Sequence, residues 1–384
     1  MGGNLKIAFI YDAAYPWVKG GAERRIYELS TRLVKKGHEV HWYSLGWWWE
    51  DEGEVDIEIE GIKLHGVSKP KPLYSEDRRS ISEAILFSLH LFNPLLKAKF
   101  DVVDCQGFPF FSSFVSKFHQ ALGSSRMVIT LHEVWGDYWY EYLGRAGIFG
   151  KLVERSMLAL TDRFITVSKK TERDLQAIKK TPRSHIIPNG IDLKQINNVV
   201  KADVEVDVIF AGRLIKEKKV DLLIEALSRV VKTHPDIKCM VVGDGPERIK
   251  LEKLRDDLNL EGTIEFSGFM DGYTELIGTM KASKLLVLPS EREGFGMVVV
   301  EANACGIPVV VVDYPMNAAK DLVKNAKNGY ISKPDPHDLA INIMDALKNG
   351  DKMKMSSMAM AQDYDWEKIV DQLEHVYRET ATNS

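Results

Sequence analysis

The sequence predicts an α/β protein with two doubly wound domains. Short apolar strands alternate with amphipathic helical stretches from Lys6–Tyr11 onward, a pattern typical of parallel sheets covered by helices on both faces. A polar stretch at 193–206 interrupts this alternation, and the same pattern restarts at Val208–Ala211. The length of 384 residues, with 45% hydrophobic content, also exceeds what one hydrophobic core comfortably supports.

The first domain is predicted to span residues 1–192. Its first helix, Ala22–Lys36, carries apolar residues at helical spacing and is ended by Gly37. Residues 193–206 are predicted to be a linker, because they show no sustained apolar period. The predicted strands of this domain are Lys6–Tyr11, Glu39–Ser44, Val102–Cys105, Met127–Leu131, Phe164–Val167 and His185–Ile187.

The second domain is predicted to span residues 207–365, followed by a terminal helix within 366–384. Its predicted strands are Val208–Ala211, Lys238–Val242, Thr263–Phe266, Leu285–Leu288 and Pro308–Asp313. Its predicted helices are Val220–Thr233, Glu247–Asn259, Gly272–Lys281 and Met297–Cys305. In open sheets of this kind, ligands bind beyond the carboxyl ends of the strands, so we expect the functional residues in the loops there.

Composition and charge limit the classes of function. The net charge is −4, and the first half of the chain is slightly basic. This excess of basic residues is too small to indicate nucleic-acid binding, but it permits an anionic acceptor or peripheral contact with a membrane. No apolar run reaches the length of a transmembrane helix, and the N-terminus runs directly into a strand. We therefore expect a cytoplasmic protein, with the inner face of the membrane as the place of any such contact. The isolated cysteines 105, 239 and 305 are expected to be reduced.

The sequence carries no familiar cofactor or metal signature. It contains neither a Gly-x-Gly-x-x-Gly motif nor a Walker motif, which argues against a dinucleotide cofactor or a P-loop nucleotide site. Its single Asp-x-Asp, at 363–365, falls among predicted C-terminal helices and not at the end of a buried strand. We therefore expect no cofactor and no metal.

The most informative segment lies between Glu293 and Glu301. It begins with Gly294-Phe295-Gly296, continues as an apolar run and follows the predicted strand Leu285–Leu288. A glycine-rich turn that opens a helix presents backbone N–H groups and a positive dipole end, which suits a diphosphate. Carboxylates are not phosphate ligands, so the two glutamates are expected to hold hydroxyl groups. A nucleotide sugar has both parts.

This segment resembles the E-x7-E signature of retaining glycosyltransferases of family 4, which have the GT-B fold, two Rossmann-like domains facing a central cleft. Further motifs of that family follow in the same order along nearly the whole chain. They are Gly20-Gly21-Ala22-Glu23, Leu131-His132-Glu133, Thr166-Val167-Ser168, Pro188-Asn189-Gly190-Ile191-Asp192, Gly212-Arg213-Leu214, Glu217-Lys218 and Val242-Gly243-Asp244-Gly245-Pro246-Glu247. The resemblance implies that the first domain binds the acceptor and the second binds the donor, and that the terminal helix crosses back to the first domain.

The resemblance also implies the residues that hold the donor. Arg213 and Lys218 neutralise the departing diphosphate, Glu301 binds the ribose hydroxyls, and Glu293 contacts the transferred sugar. The remaining donor-binding residues are Gly20, Gly21, Gly243, Gly294, Phe295 and Gly296. Spacing alone leaves other interpretations open, namely solvated charges at a helix start for Arg213 and Lys218, and a plain turn for the glycine pair. Lys219 stands where the family commonly has glycine.

Acceptor recognition is implied for the first domain. The family places a histidine, here His132, beside the transferred sugar, where it hydrogen-bonds a hydroxyl or stabilises positive charge at the anomeric carbon. Gln106 stands where many members have histidine, and it is assigned with Trp135 to the acceptor pocket. Aromatic clusters such as the one around Trp135 suit sugar rings, but they also pack against one another. Pro315-Met316-Asn317 replaces a Gly-Gly-containing loop near the donor.

The sequence thus predicts a retaining, metal-independent glycosyltransferase. It is expected to move a hexose, glucose or mannose, from UDP-glucose or GDP-mannose to a hydroxyl of a saccharide or a lipid-linked glycan. Two alternatives stay open: a nucleotide-sugar epimerase of the same architecture, and a catalytically silent sugar-binding protein. The presence of Arg213, Lys218 and Glu293 argues against the silent protein.

Overall fold

The computed structural model describes residues 3–75, 78–270 and 272–382. The chain divides into two compact units: Met1–Asn189 together with Trp366–Ser384, and Gly190–Asp365. Each unit is built on one sheet whose strands are all or nearly all parallel. The predicted α/β class with two Rossmann-like domains is therefore confirmed.

The first unit contains an eight-stranded sheet and a separate two-stranded ribbon. In chain order the strands are β1 Lys6–Ile10, β2 Glu39–Ser44, β3 Asp56–Ile59, β4 Ile62–Gly66, β5 Tyr74–Ser75, β6 Arg78–Arg79, β7 Val102–Gln106, β8 Arg126–Leu131, β9 Arg163–Thr166 and β10 Arg183–Ile186. The large sheet has the order β10-β9-β8-β7-β1-β2-β4-β3, and β5 pairs only with β6. Within the large sheet, β3 pairs antiparallel with β4 and the other pairs are parallel.

Seven helices of the first unit precede residue 190 among the described residues. They are α1 Gly21–Lys35, α2 Trp49–Glu52, α3 Ile81–Leu96, α4 Phe111–Ala121, α5 Tyr138–Leu143, α6 Gly147–Leu158 and α7 Lys169–Ile178. Polar caps fix two of these helix starts: Ser80 accepts a hydrogen bond from the Glu83 N–H, and Ser168 accepts one from the Thr171 N–H. Gly37, with φ of 92°, follows α1, in the left-handed conformation that commonly ends a helix.

The second unit contains a six-stranded parallel sheet. Its strands are β11 Val208–Ala211, β12 Cys239–Val242, β13 Ile264–Gly268, β14 Leu285–Leu288, β15 Val309–Val312 and β16 Gly329–Ser332, in the order β13-β12-β11-β14-β15-β16. All residues of β11, β14 and β15 are buried. Continuous burial explains why these strands are unbroken apolar runs, because helices cover both faces of such a sheet.

The helices of the second unit are α8 Leu193–Asn198, α9 Val220–Val230, α10 Arg248–Asp257, α11 Tyr273–Ala282, α12 Met297–Ala304 and α13 Pro336–Ala361. The first of these, α8, lies in the stretch predicted as a linker. The structure places that stretch inside the second unit: Ile196 is fully buried, and the Lys281 ammonium donates to the carbonyls of Asn197 and Val199 at 3.2 and 2.6 Å. A single buried apolar residue on a short helix gives too weak a period to be recognised in the sequence.

The terminal helix, α14 Trp366–Thr382, belongs to the first unit. Its fully buried residues recur at helical spacing and are Trp366, Ile369, Val370, Leu373 and Tyr377. Beside this apolar stripe, the Arg32 guanidinium of α1 donates to Glu367 at 2.9 Å. Among the described residues, no helix combines the length and apolar character needed to cross a bilayer.

Candidate active site

The sheet of the second unit has a topological switch point between β11 and β14. The chain leaves β11 towards β12 on one side and returns with β14 on the other, and such a reversal opens a crevice beyond the carboxyl ends of the two strands. The loop after β11 carries Arg213 and Lys218, and the loop after β14 carries Glu293. These three predicted residues therefore lie on the two loops that border the switch point.

Two glycines let the loops after β11 and β12 approach each other closely. A Cβ atom on Gly243, whose φ is +132°, would lie 1.9 Å from the Gly212 carbonyl oxygen, and one on Gly245 would lie 2.3 Å from the carbonyl oxygen of Leu214. Glycine is thus required at both positions. Since Leu214 is fully buried, this contact anchors the backbone on which the exposed side chain of Arg213 stands.

Lys218 and Glu293 form a direct ion pair. The Lys218 ammonium donates to the Glu293 Oε1 at 2.5 Å, and the two side chains are 20% and 12% exposed. Backbone bonds hold the loops around the pair, because the Glu291 N–H donates to the Glu217 carbonyl at 2.8 Å. The pair thus sets a cation and a carboxylate side by side, still partly open to solvent.

Lys219 is one departure from the family pattern, and its backbone conformation shows why glycine is common at this position. Its φ of 50° lies in the left-handed region, and the residue forms the N-cap of α9. Glycine adopts this conformation at lower cost than other residues, which accounts for the preference for glycine at this place. Lys219 adopts the left-handed conformation all the same, and Lys218 before it pairs with Glu293.

The loop that replaces a Gly-Gly sequence lies directly against Glu293. The Glu293 N–H donates to the Met316 carbonyl at 3.1 Å, and the Glu293 carbonyl accepts from the Ala318 N–H at 2.9 Å. The fully buried Asn317 donates its amide to the Val312 carbonyl at 2.9 Å. Residues 315–318 therefore set the backbone position of the carboxylate proposed to contact the sugar.

Helix α12 presents the second carboxylate of the predicted signature. It starts after Gly296, whose φ is +96° and where an added Cβ atom would lie 2.6 Å from the Ala319 side chain. Phe295 is buried and packs against Tyr364 with ring centroids 5.7 Å apart. Glu301 is only 5% exposed although it carries a carboxyl group. Burying a carboxyl group costs free energy unless it has a polar partner, so Glu301 is not an ordinary surface charge of the helix.

The first unit has its own switch point between β7 and β1, and the loops of β7 and β8 bring two predicted residues together. Gln106 ends β7, and His132 directly follows β8. The His132 Nε2 and the Gln106 Oε1 lie 2.8 Å apart. The predicted catalytic histidine and the predicted acceptor residue are therefore hydrogen-bonded to each other.

A buried carboxyl group, which the sequence analysis did not single out, orients Gln106. The Gln106 amide donates to the Asp104 Oδ1 at 3.2 Å, and Asp104 also accepts from the hydroxyl groups of Thr130 and Tyr377 at 2.7 and 2.5 Å. The amide donor of Gln106 thus faces Asp104 and its carbonyl faces His132. It follows that the His132 Nε2 carries the proton and that Nδ1 is left as an acceptor.

The charge state of His132 agrees with this arrangement. Burial, with a smaller contribution from the Arg25 guanidinium, lowers the pKa of His132 to about 3. The imidazole is therefore neutral near pH 7. Arg25 itself is buried and donates to the carbonyls of Ile187 and Pro188 at 2.8 and 2.5 Å. Its role is to tie α1 to the loop after β10 and to hold a fixed positive charge near His132.

The N-terminus of α1 is occupied by a side chain of the same helix. A Cβ atom on Gly20 would lie 2.3 Å from the Glu23 Oε2, so the carboxyl group of Glu23 folds back over the Gly20-Gly21 turn. Burial raises the pKa of Glu23 to about 7, with Asp12 adding to the rise and a hydrogen bond from its own backbone N–H opposing it. A donor phosphate at this turn would meet that group.

Trp135 lies in an aromatic cluster after β8. Its ring centroid is 4.6 Å from that of Trp139 and 5.6 Å from that of Phe108, and its indole N–H donates to Glu133 at 2.7 Å. The half-buried ring is thus fixed by packing, which is the alternative that the sequence left open. Its assignment to the acceptor pocket stays a prediction.

No group of three or more histidine, cysteine, aspartate or glutamate side chains in the described parts of the chain is arranged to hold a metal ion. The Asp-x-Asp at 363–365 lies across the end of a short 3-10 helix, Gln362–Tyr364, just before α14. The expectation of metal-independent chemistry stays a prediction.

Comparison with known proteins identifies the class. Residues 19–195 match the family model "Glycosyltransferase Family 4", and residues 193–362 match "Glycosyl transferases group 1". Together the two matches cover both units. The fold and these matches define a glycosyltransferase with the GT-B fold.

Individual relatives agree with this class. The gpi3 subunit of phosphatidylinositol N-acetylglucosaminyltransferase from Schizosaccharomyces pombe is 24% identical over 375 residues, which cover 93% of this chain and 77% of the relative. Sucrose-phosphate synthase from Thermosynechococcus elongatus superposes with a TM-score of 0.83 at 21% identity, covering 98% of this chain and 99% of that one. Anabaena HepE in complex with UDP-glucose gives 0.74 at 20% identity, covering 98% and 100%. The chain belongs to the family 4 glycosyltransferases.

Proposed function

We propose that this protein transfers a hexose from a nucleoside diphosphate sugar to a hydroxyl group of a saccharide or lipid-linked acceptor, with retention of the α configuration and without a metal ion. The observation that carries the proposal is the Lys218–Glu293 ion pair at the switch point of the second unit. A nucleotide sugar has its anionic diphosphate directly next to a hydroxyl-bearing ring. A cation beside a carboxylate suits that junction.

Different residues of the second unit bind different parts of the donor. Arg213 and Lys218 neutralise the diphosphate, a task for which fixed cations serve in place of a metal ion. Glu301 accepts hydrogen bonds from the ribose hydroxyls, a role that accounts for a buried carboxyl group on α12. Glu293 accepts from a hydroxyl of the hexose. When the diphosphate arrives, Lys218 shares its charge between the phosphate and Glu293.

The proposed reaction breaks the bond between the anomeric carbon and the β-phosphate oxygen, and the electron pair leaves with the phosphate. The acceptor oxygen forms its bond to the same carbon on the same face of the ring. Its proton passes to the departing phosphate oxygen, so charge and protons balance without a separate base. Neutral His132 accepts a hydrogen bond from a sugar hydroxyl through Nδ1, while its Nε2 proton stays with Gln106.

UDP-glucose is the first donor to test, since the Anabaena structure of similar fold contains it. GDP-mannose and UDP-N-acetylglucosamine are the further candidates. The second is included because the relative from Schizosaccharomyces pombe is a subunit of an N-acetylglucosaminyltransferase. A thermal-shift screen distinguishes the three, since a ligand at about a hundred times its dissociation constant stabilises the folded state by about 2.7 kcal/mol.

The decisive experiment is a product assay with the stabilising donor, with and without acceptor, followed by NMR of the anomeric configuration. We expect an α-linked product only when acceptor is present, and equal rates with and without EDTA. A β-linked product would contradict retention, and a loss of rate in EDTA that manganese restores would contradict metal independence. An epimerised donor formed without acceptor would indicate the epimerase.

A further inference from the structure

The first unit exposes an unusually apolar helix face. Four residues of α3 at helical spacing, Ile81, Ile85, Leu89 and Phe92, are exposed, as are Phe114, Phe118 and Leu122 on or just after α4, and Ile148, Phe149 and Leu152 on α6. We call these ten residues the apolar face. Single exposed apolar residues are common, but a contiguous group of this size marks an interaction site.

The three helices form one continuous surface. Right-handed crossovers place α3, α4 and α6 on the same side of the sheet. Helix α4 packs against both α3 and α6, and the rings of Phe92 and Phe118 stack across the α3–α4 boundary with centroids 5.4 Å apart. Helices α1 and α14 pack against each other elsewhere in the unit, so the apolar face is separate from the terminal helix.

The charges of these helices have one sign at the surface. All residues of α3, α4 and α6 are described, and their two carboxylates, Glu83 and Glu154, are each only 1% exposed. The charged side chains of these helices that reach solvent are basic, namely Lys117, Lys151 and Arg155, but the Lys151 ammonium is paired with the exposed Asp137. The exposed Lys97, Lys99 and Arg145 stand at the helix ends, and we call them, with Lys117 and Arg155, the basic border. An apolar surface with a basic border complements an anionic lipid bilayer.

We propose that the apolar face docks on an anionic lipid surface, inserting its leucine, isoleucine and phenylalanine side chains at the boundary between headgroups and acyl chains. The basic border then lies at the level of the lipid phosphates. The proposal goes beyond the transfer reaction and does not depend on the donor. It would bring a lipid-linked acceptor to the first unit, a consequence that does rest on the proposed function.

Vesicle co-sedimentation tests the docking without donor or acceptor. We expect the full chain to bind vesicles of phosphatidylcholine with phosphatidylglycerol more tightly than vesicles of phosphatidylcholine alone, and to be released by salt. The double variant Leu89→Ser, Phe149→Ser should lose at least about tenfold in partition coefficient, because two inserted side chains are removed. The matched control is Ile249→Ser, Phe269→Ser, which changes two equally exposed apolar residues of the second unit and should bind as the unmodified protein does.

The basic border has its own test. Lys97→Gln with Lys99→Gln should weaken binding to the anionic vesicles by at least about fivefold, since each lysine near an anionic surface contributes about that factor. The control, Lys253→Gln with Lys352→Gln, changes exposed lysines of the second unit and should have no effect. Turnover with a water-soluble acceptor should stay unchanged in all four variants.

Three results would overturn the proposal. The first is absence of vesicle binding by the unmodified protein, and the second is equal binding by the apolar-face variant and its control. The third is a dimer in light scattering that Leu89→Ser, Phe149→Ser converts to a monomer, which would show that a second copy covers the face. Each of these outcomes leaves the transfer assay untouched, so failure of docking and failure of the proposed function are distinguishable.

Discussion

Both units carry polar groups beyond the carboxyl ends of their strands but hold them in different ways. In the second unit, Lys218 and Glu293 form a partly exposed ion pair. In the first unit, His132 belongs to a hydrogen-bonded chain through Gln106 to the buried Asp104. An ion pair open to solvent exchanges partners readily when a charged ligand arrives. The hydrogen-bonded chain instead holds the neutral imidazole of His132 in one tautomer and one orientation, which suits a hydroxyl group.

The largest expected effect is that of removing the Lys218 cation, which tests whether the ion pair of the second unit acts on the donor. Lys218→Met should lower kcat by about 10³, since a fixed group that stabilises developing negative charge contributes about 10² to 10³ or more. Lys216→Met is the matched control, because Lys216 lies two residues earlier on the same turn and is exposed. Steady-state kinetics of both variants with one donor show whether the loss of kcat is specific to Lys218. Near-normal turnover in Lys218→Met would show that the ion pair is only structural.

Removal of His132 from the hydrogen-bonded chain should have a smaller effect of a different kind. His132→Ala is expected to lower kcat by about 10², the range of a positioned acid, base or hydrogen-bonding group. Nucleoside diphosphate affinity and melting temperature should change little. Measured on one preparation, these three quantities separate the proposed role from a structural one. A destabilised protein with normal specific activity in its folded fraction would contradict the role.

Gln106 provides a finer test of the same chain. Gln106→Leu removes the acceptor for the His132 Nε2 proton and should lower kcat by about tenfold, because the imidazole then populates both tautomers. Nitrogen-15 NMR of the histidine ring reports the tautomer directly. We expect the Nε2–H form in the unmodified protein and a mixture in the variant. A pure Nε2–H form in both would show that Gln106 does not set the tautomer.

The two glutamates of the signature should separate binding from turnover. Glu301→Ala is expected to weaken the affinity for the free nucleotide by about tenfold, the cost of losing a hydrogen bond to a charged group. Glu293→Ala should leave that affinity nearly intact and lower turnover, because only the intact donor carries the sugar. Calorimetric titration with the nucleoside diphosphate distinguishes the two. Equal losses of affinity would contradict the division, and Glu291→Gln, an exposed neighbour, serves as control.

Much of the fold is predictable because its strands are buried on both faces. Val309–Val312 reads as a strand from four successive valines. The sequence analysis does not predict the edge strand Asp56–Ile59 or its neighbour Ile62–Gly66, although the first alternates polar and apolar residues and Glu60-Gly61 between them has positive φ at both positions. Such a two-residue turn is a hairpin signal. Both strands bury only part of their side chains, so their apolar pattern is weaker.

The site is predictable only as far as its residues lie in local motifs. Glu293 and Glu301 stand eight residues apart and were recognised together. The bond that the Tyr377 hydroxyl donates to Asp104 joins residues 273 positions apart, and no local pattern contains it. The available signal was Asp104 itself, a carboxylate inside an apolar strand and two residues before Gln106, hence on the same face.

The smallest expected effect is the pH dependence of stability that arises from buried carboxyl groups near the start of α1. Glu23 lies near Asp12 and Arg79, and Glu83 lies near the same pair, so the start of α1 covers three buried carboxyl groups and one guanidinium. Burial raises the pKa of Glu23 to about 7 and that of Glu83 to about 9. The folded state therefore binds more protons than the unfolded state between the ordinary pKa of 4.5 and the raised values of about 7 for Glu23 and about 9 for Glu83.

Stability should accordingly fall as pH rises through the raised pKa values. For Glu23 alone, the free energy of unfolding should drop by about 1 kcal/mol between pH 6 and pH 8. Urea unfolding of Glu23→Gln, which keeps the shape and lacks the titration, should lack that part of the drop, whereas Glu225→Gln, on the helix α9 of the second unit and exposed, should keep it. An identical pH slope in Glu23→Gln and the unmodified protein would mean that Glu23 is ionised throughout. The α1 turn would then hold a permanent negative charge, and a donor phosphate could not bind at Gly20-Gly21 without first displacing it.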